Sequence, residues 1–231
     1  DWEPNDKAYV QLAPDKDDHI NMIIDEIQTR LKPIKPVDDQ RSVLVFFRDI
    51  EELNRFRDSS QFDRYREGAQ VLSEVTASSP DERDILIKAT THQGKITLAT
   101  CTFGRGTDFK IFDDRMEDCG GMHVLQTFFS TDLSEFIQIQ GRCARQGNRG
   151  SYSMVLELGA VAKDFELKKD VIKSWPAAEL HGELSKIRLS RAEKHVTELR
   201  KKAAANKLEH DATVQALQAF QSANSAPMQQ L

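Results

Sequence analysis

Two short segments of this chain carry residue types suited to phosphate chemistry. The first, Gly104-Arg105-Gly106-Thr107-Asp108, is a glycine-rich turn holding one cation and one carboxylate. Glycines let backbone amides approach phosphate or ribose oxygens closely, and Asp108 can accept hydrogen bonds from ribose hydroxyls. The second, Gln138-Ile139-Gln140-Gly141-Arg142-Cys143-Ala144-Arg145, has the form Q-x-x-G-R-x-x-R. Its pattern predicts a helix running to about Arg145, on which Arg142 and Arg145 lie one turn apart and project from the same side. Two planar, permanently charged guanidiniums suit the charge that develops on a transferring phosphoryl group. Taken singly, each segment has a plainer reading: a tight loop with a surface arginine, and a helix with two solvated arginines. What makes the pair specific is the order of the two segments and the elements beneath them.

Those elements are legible in the hydrophobic pattern. Residues 42–47 (Ser-Val-Leu-Val-Phe-Phe) are a nearly all-apolar β-forming run, as expected for a strand buried on both faces. Further strands are predicted over 70–75, 95–102, 122–127 and 152–158. Between them the period switches to that of helices. Ile20, Ile23, Ile24, Ile27 and Leu31 mark one over 18–31, ended by Pro33 and Pro36, and Ile50, Leu53 and Phe56 mark the next. Ser79-Pro80-Asp81-Glu82 reads as a capping box, and Asp132-Leu133-Ser134-Glu135 as a second one opening the helix of the arginine pair. Strand and helix alternating in this way predict an α/β fold with a mainly parallel sheet flanked by helices. The 104–108 turn then follows the carboxyl end of a parallel strand, where open α/β sheets bind ligands.

From Trp175 onward the character changes. Leu180, Leu184, Ile187, Val196, Leu199 and Ala203 recur at mostly helical spacing among Lys, Arg and Glu, and Pro is absent until Pro227. A long C-terminal helix is expected, broken near Gly182 and docked through its leucines. The organisation expected is a helical lead-in over 1–40, an α/β domain over 41–165 and a helical tail over 166–231.

Composition narrows the function classes. A formal net charge of -5 makes nucleic acid an unlikely partner, because phosphate backbones are bound largely by clustered Lys and Arg. No apolar stretch approaches the roughly 20 residues that span a bilayer. The start, Asp1-Trp2-Glu3, has no initiator Met, basic segment or apolar segment, so an excised piece without a secretory signal is expected. Three cysteines, Cys101, Cys119 and Cys143, with no C-x-x-C pair, read as reduced thiols of a cytoplasmic protein. Asp81-Glu82-Arg83-Asp84 spells a magnesium-binding D-E-x-D, but Ala77-Ser78-Ser79-Pro80 ahead of it caps a helix and is no buried strand. Its acids suit a helix N-terminus, and no metal site is expected in the chain. Nor does any G-x-x-x-x-G-K-[ST] phosphate cradle occur.

Together the two segments resemble motifs V and VI of superfamily 2 motors, and in detail those of SecA, the preprotein translocase ATPase. Thr97-Leu98-Ala99-Thr100 leads into the first segment and Phe109-Lys110 follows it. Gly120-Gly121-Met122-His123-Val124 is close to the family's Gly-Gly-Leu-His-Val, and Gly141-Arg142-Cys143-Ala144-Arg145-Gln146-Gly147 to its Gly-Arg-Ser-Gly-Arg-Gln-Gly. Val43-Leu44-Val45 matches the strand that opens the second motor domain, and the resemblance covers roughly 5–160.

The resemblance implies a RecA-like second motor domain that holds one half of a split ATP site. Arg105, Gly106 and Asp108 would then contact nucleotide, Arg142 and Arg145 would be the arginine fingers, and Gln138 would couple the site to the neighbouring domain. It further implies ATP with Mg2+ whose ligands lie on an absent first motor domain, a parent that hydrolyses ATP, and an isolated chain that does not. The implied setting is protein translocation in the cytoplasm, with peripheral membrane association left open and a protein partner for the tail. His123 is expected to pack in the core. Phe128-Phe129-Ser130-Thr131-Asp132 stands where the family has a basic polar run, and Cys101-Thr102-Phe103 where it has Asn-Met-Ala, which marks a divergent relative. Two other readings remain: the second domain of an RNA or DNA helicase, and a non-hydrolysing interaction module derived from a motor.

Overall fold

In the computed structural model of the chain the described residues are 9–32, 40–111, 114–143 and 149–224, the last with side chains to 221. Six strands form one sheet: β1 Val10–Ala13, β2 Val43–Phe47, β3 Gln70–Leu72, β4 Ile96–Thr100, β5 Met122–Gln126 and β6 Gly150–Glu157. Their order is β1-β6-β5-β2-β4-β3, and every pairing is parallel. Helices flank it: α1 Lys16–Leu31, α2 Ile50–Arg57, α3 Asp63–Arg66, α4 Pro80–Thr90, α5 Asp114–Asp118, α6 Leu133–Gln140, α7 Leu158–Asp164, α8 Lys169–Lys173 and α9 Ala177–Asn224. This is the α/β, RecA-like arrangement expected, with its long C-terminal helix.

The all-apolar run became the central strand. All five residues of β2 are buried, between β4 and β5. Ile23, Ile24 and Ile27 of α1 pack into one apolar cluster with Val43, Val45, Phe47, Leu53 and Phe56, so the spacing seen in the sequence is a core face. The strand β1 escaped the sequence reading because it is only four residues long and sits in a polar lead-in. It pairs with β6 from Val10 opposite Met154 to Ala13 opposite Glu157. At the other edge β3 stops at Leu72, three residues short of the expected end, and Val75 is exposed.

The capping box at Ser79 and Glu82 is formed in full, and Pro80 opens α4. Glu82 therefore serves the helix terminus. The second box is only half formed. Asp132 accepts from the Ser134 amide at 2.8 Å, and no reciprocal bond from the Asp132 amide to the Glu135 carboxylate is made among the described residues. The helix it opens also ends earlier than expected, at Gln140. Gly141 closes it, and Arg142 N–H to Ile139 O (3.1 Å) and Cys143 N–H to Gln140 O (3.2 Å) tighten the chain into three-residue turns. Arg142 therefore lies past the helix end, and the same-side argument for the arginine pair does not apply to it.

The chain divides into two units, Asp1–Leu184 and Ser185–Leu231. Helix α9 begins in the first, where Leu180 and Leu184 are buried, and it runs through Gly182 without the expected break. A glycine inside a helix costs about 1 kcal/mol against alanine, which lowers stability without ending the helix. In the second unit Val196 and Leu199, expected to dock, are exposed, as are Leu189, Leu208, Leu217 and Phe220. Among the described residues no helix is long and apolar enough to cross a membrane.

A buried polar network braces the start of β5. The Arg41 guanidinium donates to Gly121 O (2.7 Å), Gly120 O (2.8 Å) and Ser151 Oγ (2.6 Å). Next to it His123, fully buried, meets Ser151 Oγ at 2.7 Å through Nδ1 and Ser153 Oγ at 2.9 Å through Nε2. Ser153 donates to Glu26 Oε1 (2.8 Å), and Arg30 pairs with the same carboxylate at 2.8 Å. Burial lowers the His123 pKa to about 4, so the ring is neutral at pH 7. Burial pushes the Glu26 carboxyl up, but the hydrogen bond from His123, the Arg30 charge and Ser153 outweigh it and hold the pKa at about 2. Gly121 sits at φ +68°, and a Cβ there would overlap the Arg149 carbonyl. The Gly-Gly-x-His wording is thus an architectural motif, as expected for His123.

Candidate functional site

Strand β4 ends at Thr100, and a single 3-10 turn, Cys101–Gly104, delivers the chain into the 104–108 loop. This turn rests on α6. A Cβ on Gly104 would come within 2.6 Å of Ile139 Cγ1, so no larger residue fits without displacing that side chain. The first segment's glycine therefore serves packing of the loop against α6 as well as any ligand.

Arg142 clasps that loop. Its Nε and Nη2 donate to Gly104 O at 2.9 and 2.7 Å, and its Nη1 donates to Thr107 O. Arg83 of α4 also donates to Thr107 Oγ1 (3.0 Å) and lies over the Phe103 ring, 5.4 Å from its centroid. Thr107 is buried between them, while Arg105, Gly106 and Asp108 are exposed. Gly106 takes φ +63°, the left-handed region that turns the chain outward.

The remaining contacts are looser. Arg105 pairs with Asp132 at 2.7 Å, both side chains about half exposed, and reaches Ser134 Oγ at 3.3 Å. The Ser134 amide and hydroxyl, then Arg105, lower the pKa of Asp132, the residue that caps α6. An exposed pair of this kind is worth no more than about 1 kcal/mol. Asp108 faces Lys110 at 3.6 Å. Gly106, Thr107, Asp108 and Lys110 form one wall of a cleft of about 680 Å³ whose other wall is Ala77 to Pro80 together with Arg83, Asp84, Ile87 and Lys88 of α4.

Of the residues singled out in the sequence, Arg105, Gly106 and Arg142 are brought together around one loop, with Asp108 at its exposed end. Gln138 sits on α6, half-buried, and its Oε1 is buried with no hydrogen-bond partner among the described residues. Arg145 and Gly147 lie outside the described residues. Two participants were missed. Arg83 was seen only as part of a D-E-x-D spelling, and Asp132 only as a helix cap. No spacing rule links Arg83 to a loop some 24 residues later, because the link is the parallel crossover that sets α4 beside it. Among the described residues no cluster of acids, histidines and cysteines is placed to hold a metal ion.

No protein-family model matches the chain. In sequence it is similar to SecA proteins. Protein translocase subunit SecA 3 of Magnetococcus marinus is 34% identical over 109 residues, 46% of this chain and 16% of that protein. SecA 2 of Rhodopirellula baltica is 48% identical over 66 residues, 29% of this chain and 10% of the relative, and SecA 2 of Nitrosospira multiformis is 30% identical over 129 residues, 55% and 18%. The matches thus span less than a fifth of the length of these curated relatives. Similar solved structures include the second domain of the DEAD-box helicase Mss116p bound to an RNA duplex, at 22% identity, 64% of this chain, 53% of that one and a TM-score of 0.44. The C-terminal part of the Fun30 ATPase domain is another, at 14% identity, 74% and 54% coverage and a TM-score of 0.46. The chain is SecA-like in sequence and RecA-like in fold.

Proposed function

We propose that this chain is the second motor domain of a SecA-type, ATP-driven machine that moves protein chains, and that it supplies the arginine half of a split ATP site. The observation that supports this most is the assembly of loop and arginine: a glycine-rich turn at the carboxyl end of β4, fixed to α6 through Gly104 and Ile139 and clasped by Arg142. A loop held that firmly is preorganised, so its backbone amides and Asp108 meet a nucleotide without first paying an ordering entropy.

The residues present fit a nucleotide on this face. Asp108 and Gly106 are exposed at the cleft wall, and Gln138 Oε1 is a buried acceptor with no hydrogen-bond partner among the described residues. Bound ATP with its Mg2+ supplies the phosphoanhydride bond, with the metal ligands on the first motor domain. Within this chain Asp108 accepts from ribose hydroxyls, and Arg105, exposed and paired with Asp132, contacts the nucleotide from the same loop. Gln138 carries contact to the neighbouring domain. Arg142 acts chiefly as the strut of the loop, because three of its donors are engaged there. The role of arginine finger, stabilising charge in the transition state, then falls to Arg145. The exposed apolar side chains of α9 beyond Ser185 support a protein partner for the tail.

The isolated chain should bind ATP weakly and turn it over negligibly, since half of the site is elsewhere. Phosphate release from highly purified chain checks this. Turnover well above a buffer blank, lost on Arg142→Ala, would contradict the split-site reading.

A further inference from the structure

The strands β2 and β5 are neighbours, yet the chain leaves them in opposite directions. After β2 it goes to β3 and β4 on one side, and after β5 to β6 on the other. Diverging connections open a crevice at the carboxyl edge of a parallel sheet, the place where such folds most often take ligands. Here the crevice is a cavity of about 500 Å³, within the size range of small-molecule sites. It shares no lining residue with the 104–108 loop.

Its walls are apolar and aromatic: Ile20 and Ile23 of α1, Phe47 at the end of β2, Phe56 of α2 and Phe128 after β5. Its charges are unevenly committed. Asp164 is held by both arms of the Arg48 guanidinium, which also lies over the Phe128 ring at 5.6 Å. The Glu157 carboxylate is spent on the Gly159 and Ala160 amides at 2.7 and 2.6 Å, capping α7. The third acid, Glu52, is half-buried beside Arg48 and Arg55. Against these, Lys16, Arg55, Lys163 and Lys169 line the mouth, are exposed, and form no ion pair among the described residues. Acids satisfied from within and cations left at the rim give the opening a positive potential over an apolar floor.

We propose that this crevice binds a small amphipathic anion: one aromatic or branched apolar group bearing a carboxylate, sulfonate or phosphate, seated on Ile20, Phe47 and Phe56 with its head at the lysine rim. The apolar body supplies the affinity, and the cations fix which end points outward. The site is separate from the ATP half-site, and its occupancy requires no first motor domain.

The full 231-residue chain is titrated with anilinonaphthalene sulfonate, an anion with an aromatic body, and with N-phenylnaphthylamine, the same body without the charge. Fluorescence should report one saturable site for the sulfonate, with the neutral compound weaker by about tenfold or more. Lys163→Glu together with Lys169→Glu changes only exposed side chains. It should weaken the sulfonate by about tenfold at low salt and leave the neutral compound unchanged. Ala160→Trp should fill the crevice and remove both, with its unfolding midpoint measured alongside. If that variant does not fold, the lysine pair decides alone. Equal affinity for the two compounds, or sulfonate binding indifferent to the lysine pair, would overturn the proposal.

Discussion

His123 shows how a single side chain can be mistaken for chemistry. A histidine in a Gly-Gly-x-His wording invites a catalytic reading, but here both ring nitrogens are engaged by serines of β6 and the ring is fully buried. Its pKa, lowered to about 4 by burial, has a consequence for stability. In the unfolded chain the ring takes its proton near pH 6.5, whereas in the folded chain it does not until about pH 4. As the pH falls through that window the unfolded state binds the extra proton, and the fold loses stability by up to roughly 1.4 kcal/mol per pH unit. His19, also lowered mainly by burial, acts in the same direction, and Glu26, held near 2, adds its own loss below pH 4.5. Urea unfolding at pH 7.5 and pH 5.5 should therefore show a lower midpoint in acid. His123→Gln should flatten part of that slope. A midpoint unchanged between the two pH values would contradict the buried, neutral assignment.

At the scale of elements, what was legible was what local pattern encodes. The run Val43–Phe47 announced a strand buried on both faces, the isoleucines of α1 announced a core face, and Ser79-Pro80 announced a helix start, and each is found so. The illegible parts depend on distant neighbours. β1 is a strand because β6 offers it an edge, and α6 stops at Gln140 because Gly141 and the loop contacts of Arg142 favour a turn there. The clasp of Arg142 on Gly104 joins residues 38 positions apart, beyond the reach of any periodicity. Helix α9 divides along the same line. Leu180 and Leu184 are buried, whereas every described side chain beyond Arg191 is exposed. Ending the chain after Lys173 removes both leucines and should cost several kcal/mol, at roughly 2 to 3 kcal/mol for each buried side chain. Ending it after Arg191 should leave the unfolding midpoint nearly unchanged. Thermal unfolding of the two truncations gives the comparison, and equal midpoints would mean that the leucine contacts contribute nothing.

For the whole molecule the central claim is that one face of this α/β domain completes an ATP site begun elsewhere. The two arginines of the second segment then have separable roles. Arg142 is tied to loop carbonyls, so Arg142→Ala should lower folding stability by about 1 to 3 kcal/mol, as for lost charge-assisted hydrogen bonds. Arg145 should be nearly silent in folding and decisive in turnover. Lysine at that position should restore only part of the activity, because it keeps the charge and loses the planar fork. The most direct test is ATP turnover and unfolding midpoint measured on the same Arg145→Ala protein, in a parent ATPase that holds both motor domains. The half-site account predicts a turnover loss of roughly 10³-fold or more, about 4 kcal/mol of transition-state stabilisation, with the midpoint unmoved. Turnover retained while the midpoint collapses would make Arg145 a structural residue and contradict the account.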